Sequence, residues 1–107
     1  MKIDYVEFNS ADLGATKQFF SDAFGWGFND YGPDYQEIVD GGISGGIAAG
    51  GSAPPLIILK TDDLPAALAR VTAAGAQITK PIFDFPGGKR FQFREPGGTE
   101  MAVWSER

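Results

Sequence analysis

The sequence predicts an α+β domain made of two βαβββ modules, and three observations lead there. Asp12-Leu13 and Asp63-Leu64 each follow a strand-like stretch and open a helix-like one. The apolar positions around them correspond: Val6 and Phe8 match Ile57 and Leu59, and Leu13, Phe20 and Ala23 match Leu64, Val71 and Ala74. Glycines punctuate both halves alike, with Gly25 matching Gly75 after a slip of one residue and Gly41-Gly42 matching Gly97-Gly98. A repeat in which order, caps and turns all recur is a fold signal in itself. The first module is expected over about 2–48, a linker over about 49–55 and the second module over about 56–105.

Each element has its own warrant. Ile3–Asn9 alternates, with Val6 and Phe8 on one face and Tyr5 and Glu7 on the other, as a half-buried strand does. Ser10-Ala11-Asp12 offers N-cap side chains, and Leu13, Thr16, Phe20, Ala23 and Phe24 then recur every three or four residues, which predicts an amphipathic helix. Gly25 stands where a left-handed residue ends a helix. Short strands are expected at Trp26–Asp30, Tyr35–Val39 and Ile43–Ala48, parted by Tyr31-Gly32-Pro33-Asp34 and Asp40-Gly41-Gly42. Leu56–Lys60 is an apolar strand, and Thr61-Asp62-Asp63 supplies the second cap. Pro65 falls in the first turn of the second helix, where a missing N–H does no harm. A strand over Gln77–Phe83, a loop over Asp84–Gly88 and a closing hairpin over Phe91–Trp104 complete the chain. The hairpin turns at Glu95-Pro96-Gly97-Gly98, where proline fixes φ and glycine supplies a positive φ.

Composition removes several classes of function. With 107 residues the chain suits one small domain. It has no cysteine and no histidine. Disulfides, thiolate metal sites, Ser-His-Asp and Cys-His mechanisms are therefore excluded. A net charge of −5 disfavours nucleic acid and anionic membranes as partners. No apolar run approaches the length that spans a bilayer, and the N-terminus enters a strand pattern directly, so a cytoplasmic location is expected. The glycines at 41–51 lack the order and the closing Lys-Ser/Thr of a phosphate loop. Bends in a curling strand account for them better.

Glu100 is the residue that stands out, a carboxylate at the start of an otherwise apolar strand. It is either a solvated strand end or part of a site. Trp26, Phe28, Tyr35, Phe91, Phe93 and Trp104 lie on expected strands. Each either packs the core or helps form a stacking wall for a planar ligand. Lys60, Arg90 and Arg94 are candidates for an anionic group or plain surface charges.

Taken together, the capped Asp-Leu helix ending Phe19-Phe20…Phe24-Gly25-Trp26, the segment Gly42-Ile43-Ser44-Gly45-Gly46-Ile47 and the late Arg94-Glu95-Pro96-Gly97-Gly98-Thr99-Glu100 resemble the vicinal oxygen chelate superfamily. Its members include glyoxalase-like, bleomycin-resistance-like and ring-cleaving dioxygenase-like proteins. The resemblance runs from Ile3 to Trp104 and is to the small single-domain subgroup. Glu95-Pro96-Gly97-Gly98-Thr99 is a variant of the Asp-Pro-x-Gly-Asn turn usual there.

The resemblance implies curved mixed sheets around a cavity, and in metal-dependent members four ligands for a divalent ion. Those positions fall at or near Tyr5, near Ser44 or Gly45, near Leu56, and on Glu100. Three of the four are not the histidine or glutamate ligands the family uses. A protein that binds a small molecule without a complete metal site is therefore expected, with Tyr5, Glu7, Trp26, Phe93, Glu100 and Trp104 as ligand-binding candidates. The alternative is a lyase, isomerase or dioxygenase-like enzyme using Glu100, and with it Glu7, as metal ligands or acid–base groups. For that alternative Mg²⁺, Mn²⁺, Ni²⁺ or Zn²⁺ is the implied ion. Exposed sheet edges also lead to the expectation of a homodimer.

Overall fold

Helix starts and strand alternation organise the chain much as the sequence suggests. The computed structural model describes residues Met1–Arg107 and divides into two units. One is Tyr5–Leu56, and the other is Ile57–Arg107 together with Met1–Asp4. The elements are β1 (Lys2–Ser10), α1 (Leu13–Phe24), β2 (Gly27–Asp30), β3 (Tyr35–Val39) and β4 (Gly45–Ala49), then β5 (Leu56–Lys60), α2 (Leu64–Ala73), β6 (Gln77–Phe85), β7 (Gly88–Arg94) and β8 (Glu100–Ser105). This is an α+β fold of two βαβββ modules.

Both modules share one topology. In the first the strands lie in the order β2-β3-β4-β1, with β1 and β4 parallel and the other neighbours antiparallel. In the second the order is β5-β8-β7-β6, with β5 and β8 parallel and the rest antiparallel. The helix in each module is the crossover that a parallel pair requires.

The caps explain where the helices begin. Asp12 accepts the Ala15 N–H at 3.0 Å and Asp63 accepts the Ala66 N–H at 3.1 Å. Each carboxylate thereby satisfies one of the orphan donors of a first helical turn. Gly25 ends α1 at φ 73°, and its N–H reaches the Ser21 carbonyl at 2.9 Å. A β-carbon would be disfavoured at that dihedral.

The two helices differ in what they bury. In the second module Leu64 and Ala67 of α2 join Phe91, Phe93 and Val103 in the apolar core. No residue of α1 is buried. Its rings form an aromatic cluster instead, with Phe20 centred 5.3 Å from Phe8 and 5.0 Å from Trp26, and Phe24 5.2 Å from Trp26. Phe19 and Phe24 remain more than half exposed.

The main departures from the sequence expectation are at the start of β4 and at the β6–β7 turn, while β1 gains one residue at each end and β2 begins one residue later. The strand expected from Ile43 begins at Gly45, because Asp40-Gly41-Gly42 turns with positive φ at Asp40 and Gly42 and leaves Ile43 exposed. The loop expected over Asp84–Gly88 is tighter. β6 runs on to Phe85, which pairs with Gly88 across Pro86-Gly87. A side chain at Gly88 would collide with the Ser105 backbone, so glycine permits this close return.

Candidate functional site

In the second module, strand alternation sends two kinds of side chain to opposite faces. Phe91, Phe93, Met101 and Val103 face α2. The intervening residues Arg90, Gln92, Glu100, Ala102 and Trp104 therefore share the helix-free face, where Arg90 lies opposite Trp104 and Gln92 opposite Ala102. Phe93 is thus a core residue, 6% exposed, and stands on the other face from Glu100 and Trp104.

Glu100 is held by one oxygen. Its Oε2 accepts the Thr79 hydroxyl at 2.7 Å and the Gln92 amide N–H at 3.3 Å. Its Oε1 makes no hydrogen bond within the chain and is not buried. The orientation of Gln92 has a cause. Arg90 donates from Nη2 to Gln92 Oε1 at 3.1 Å, and a guanidinium can only donate. The Gln92 amide must therefore turn its NH₂ toward Glu100. The guanidinium in turn rests over Phe83 and Phe85, 5.3 and 5.7 Å from their ring centres.

Trp104 extends this face. Its indole N–H donates to Asp4 at 2.9 Å, its ring meets Phe85 edge-on at 6.0 Å, and Lys60 Nζ lies 4.9 Å from its ring centre. An open groove of about 490 Å³ runs beside Asp4 and Lys60, but Glu100 does not line it.

The first module carries a second polar group. Tyr5 and Glu7 of β1, Tyr35 and Glu37 of β3 and Gly46 of β4 lie on the face away from Phe8 and α1. Gly46 is opposite both Glu7 and Glu37. The Tyr5 and Tyr35 hydroxyls are hydrogen-bonded to each other, and Tyr35 donates to Glu7 Oε2 at 3.4 Å. Glu7 is 9% exposed. Burial is the main cause that raises both phenols above the ordinary tyrosine range, and the Glu7 charge adds to it. Asn29 donates to Glu37 at 2.7 Å. Trp26 packs with Phe20 and Phe24 and is not part of this group.

Sequence reading did not single out Thr79 or Gln92. The available signal was Gln92 between Phe91 and Phe93, a polar residue alternating with the two largest side chains of its strand. In the sequence Tyr35 stands out only as one aromatic among several.

These residues do not fit a four-ligand divalent centre. Tyr5 is a half-buried, hydrogen-bonded phenol, Ser44 offers only a neutral hydroxyl, Gly45 has no side chain, and Leu56 is apolar and 7% exposed. Glu100 is the one carboxylate among the four positions, and no three acidic residues stand together as a metal cluster.

Comparison with known proteins bears on the family and the fold. A family profile described as Glyoxalase/Bleomycin resistance protein/Dioxygenase superfamily matches residues 2–103. The glyoxylase-named protein CFP32 of Mycobacterium bovis is 27% identical over 94% of this chain, which spans 44% of that relative. The chain therefore covers less than half the length of the curated relatives it matches. A family member from Vibrio splendidus superposes with a TM-score of 0.75 at 16% identity, over 98% of both chains. The Mn(II)-bound glyoxalase of Novosphingobium aromaticivorans superposes at 0.71 with 24% identity, over 98% of this chain and 38% of the neighbour. With the match to the family profile over nearly its whole length, the chain belongs to the glyoxalase/bleomycin resistance protein/dioxygenase superfamily.

Proposed function

We propose that this protein binds a small organic molecule on the helix-free face of its second module, without requiring a divalent ion. The observation that carries the reading is the asymmetry of Glu100. One oxygen is fixed by Thr79 and Gln92, and the other is free to accept. A carboxylate held this way meets a ligand with little rotamer entropy left to lose. The ligand it suits bears an ammonium, amide N–H or hydroxyl opposite Oε1, with an apolar or aromatic body toward Trp104 and Phe85. The same reading takes the protein to act as a cytoplasmic homodimer.

The test is a thermal-shift and NMR screen of aromatic amines, aromatic alcohols and antibiotic-like amines in EDTA, on wild type and Glu100→Ala. Binding of at least one amine class, lost in Glu100→Ala with the fold retained, supports the proposal. Hits that bind both proteins equally overturn it, as does a screen without hits.

A further inference from the structure

We infer that the Tyr5–Tyr35–Glu7 chain of the first module is a directional hydrogen-bonding subsite, which accepts an N–H or O–H from a ligand and discriminates against a bare oxygen acceptor. The inference rests on the reading that this protein binds a small molecule, and assigns a specificity to a separate group of residues.

The direction follows from counting protons. A carboxylate only accepts, and a phenol has one proton to give. Tyr35 gives its proton to Glu7 Oε2. The bond between the two phenols must then use the proton of Tyr5. Tyr5 keeps only lone pairs for anything outside the chain. A ligand group that meets it gains a hydrogen bond only by donating. A carbonyl, ether or carboxylate oxygen would face those lone pairs unpaired, which costs more than a lost contact.

The backbone beneath makes this geometry possible. A β-carbon at position 46 would collide with both hydroxyls and would stand 2.6 Å from Tyr35 Cζ. The phenols can therefore meet only above a glycine. Tyr5 is about half-buried, so its ring is anchored while part of it remains accessible. Burial keeps both phenols protonated at neutral pH, which preserves the proton count. Glu37, the other carboxylate on this face, is bonded by Asn29 and adds negative charge that also favours a donor.

The experiment uses two neutral probes with one skeleton, 1-phenylethanol and acetophenone. The first can donate and the second can only accept. The protein is labelled with 3-fluorotyrosine, and its three tyrosines are assigned by Tyr→Phe variants. In wild type the alcohol should shift the Tyr5 resonance at concentrations roughly tenfold lower than the ketone, the discrimination one hydrogen bond confers. Tyr35→Phe removes the acceptor of the Tyr5 proton, so the preference should fall to near parity. Glu7→Gln can serve the chain from either end of its amide, and should relax the preference in the same direction while leaving both tyrosines in place. Equal response to both probes in wild type overturns the inference, as does an unchanged ratio in both variants or a Tyr5 resonance that neither probe moves. Glu100→Ala separates the two sites. If it abolishes binding while Tyr5 stays silent throughout, the second-module reading stands and this one fails. If Tyr5 still discriminates in Glu100→Ala, this one stands alone.

Discussion

Gly46→Ala is the substitution that most sharply probes the first module. The φ of Gly46 is not in the left-handed region, so alanine meets no backbone strain there. In an ordinary strand the change would stabilise by about 0.5–1 kcal/mol through lost chain entropy. Here the new methyl would collide with the Tyr5 and Tyr35 hydroxyls and approach Tyr35 Cζ to 2.6 Å. One hydroxyl could swing aside cheaply, but two bonded to each other cannot move without breaking their contact. Overpacking of this kind costs about 1–3 kcal/mol, and the net loss should be about 1–2 kcal/mol. For a domain of this size that lowers Tm by roughly 5–15 °C. The assay is urea unfolding and thermal melting of Gly46→Ala, Tyr35→Ala and the double variant. In the Tyr35→Ala background the methyl has room, so Gly46→Ala should be neutral or stabilising there. A single Gly46→Ala variant as stable as wild type would refute the placement of the two phenols over this glycine.

Other perturbations test separate parts of the account. Both tyrosine phenols have folded values raised above their unfolded value near 10. Their contribution is fully present below about pH 10, and stability should decline as pH rises beyond it because the unfolded chain ionises first. Melting across pH 8–11.5 should show that decline weakened in Tyr35→Phe, and an identical profile in both proteins would contradict it. Glu95 accepts the Gly97 and Thr99 N–H groups, and these bonds to Thr99 and then Gly97 hold its carboxyl below the usual range. Its contribution is present above the unfolded value and lost as pH falls through the lowered one, so Glu95→Gln should flatten acid sensitivity near pH 4. Gln92→Leu should weaken binding of any Glu100 ligand by about tenfold, because it removes one anchor of Oε2. Equal affinity would show that Thr79 alone suffices. Sedimentation should give twice the 11.4 kDa chain mass if the protein is a homodimer, and the single mass would end that reading.

Most of the fold was legible because local signals agreed with each other. Asp12 and Asp63 cap as their positions suggest, and Gly25, Gly42, Gly75 and Gly98 all take the positive φ that the matching turns require. The start of β4 was harder, since Ile43 continues the apolar run but the turn at Asp40-Gly41-Gly42 consumes two more residues before pairing begins. The site was legible only in part. Glu100 announces itself as a charge in an apolar strand, and Tyr5 with Glu7 follows from simple alternation. Which side of β7 meets the helix depends on register with β8. A slip of one residue exchanges the faces, so the strand pattern alone does not separate Phe93 as core from Gln92 as site, whereas the pairing of Phe93 opposite Met101 does. Trp26 was equally ambiguous, because its neighbours in space, Phe20 and Phe24, come from the preceding helix. The partnership of Thr79 with Glu100 spans 21 residues and two strands, a distance that single-strand patterns do not bridge.

The claim that Glu100 anchors an organic ligand rather than a metal ion is tested most directly by metal titration. Wild type and Glu100→Ala would be melted in EDTA and then with Mg²⁺, Mn²⁺, Ni²⁺ or Zn²⁺. An ion bound by the folded state raises Tm by mass action. The account predicts that no ion separates the two proteins, while a ligand from the amine screen stabilises wild type in EDTA. Stabilisation of wild type by one ion, absent in Glu100→Ala, would contradict it and place Glu100 in a metal centre.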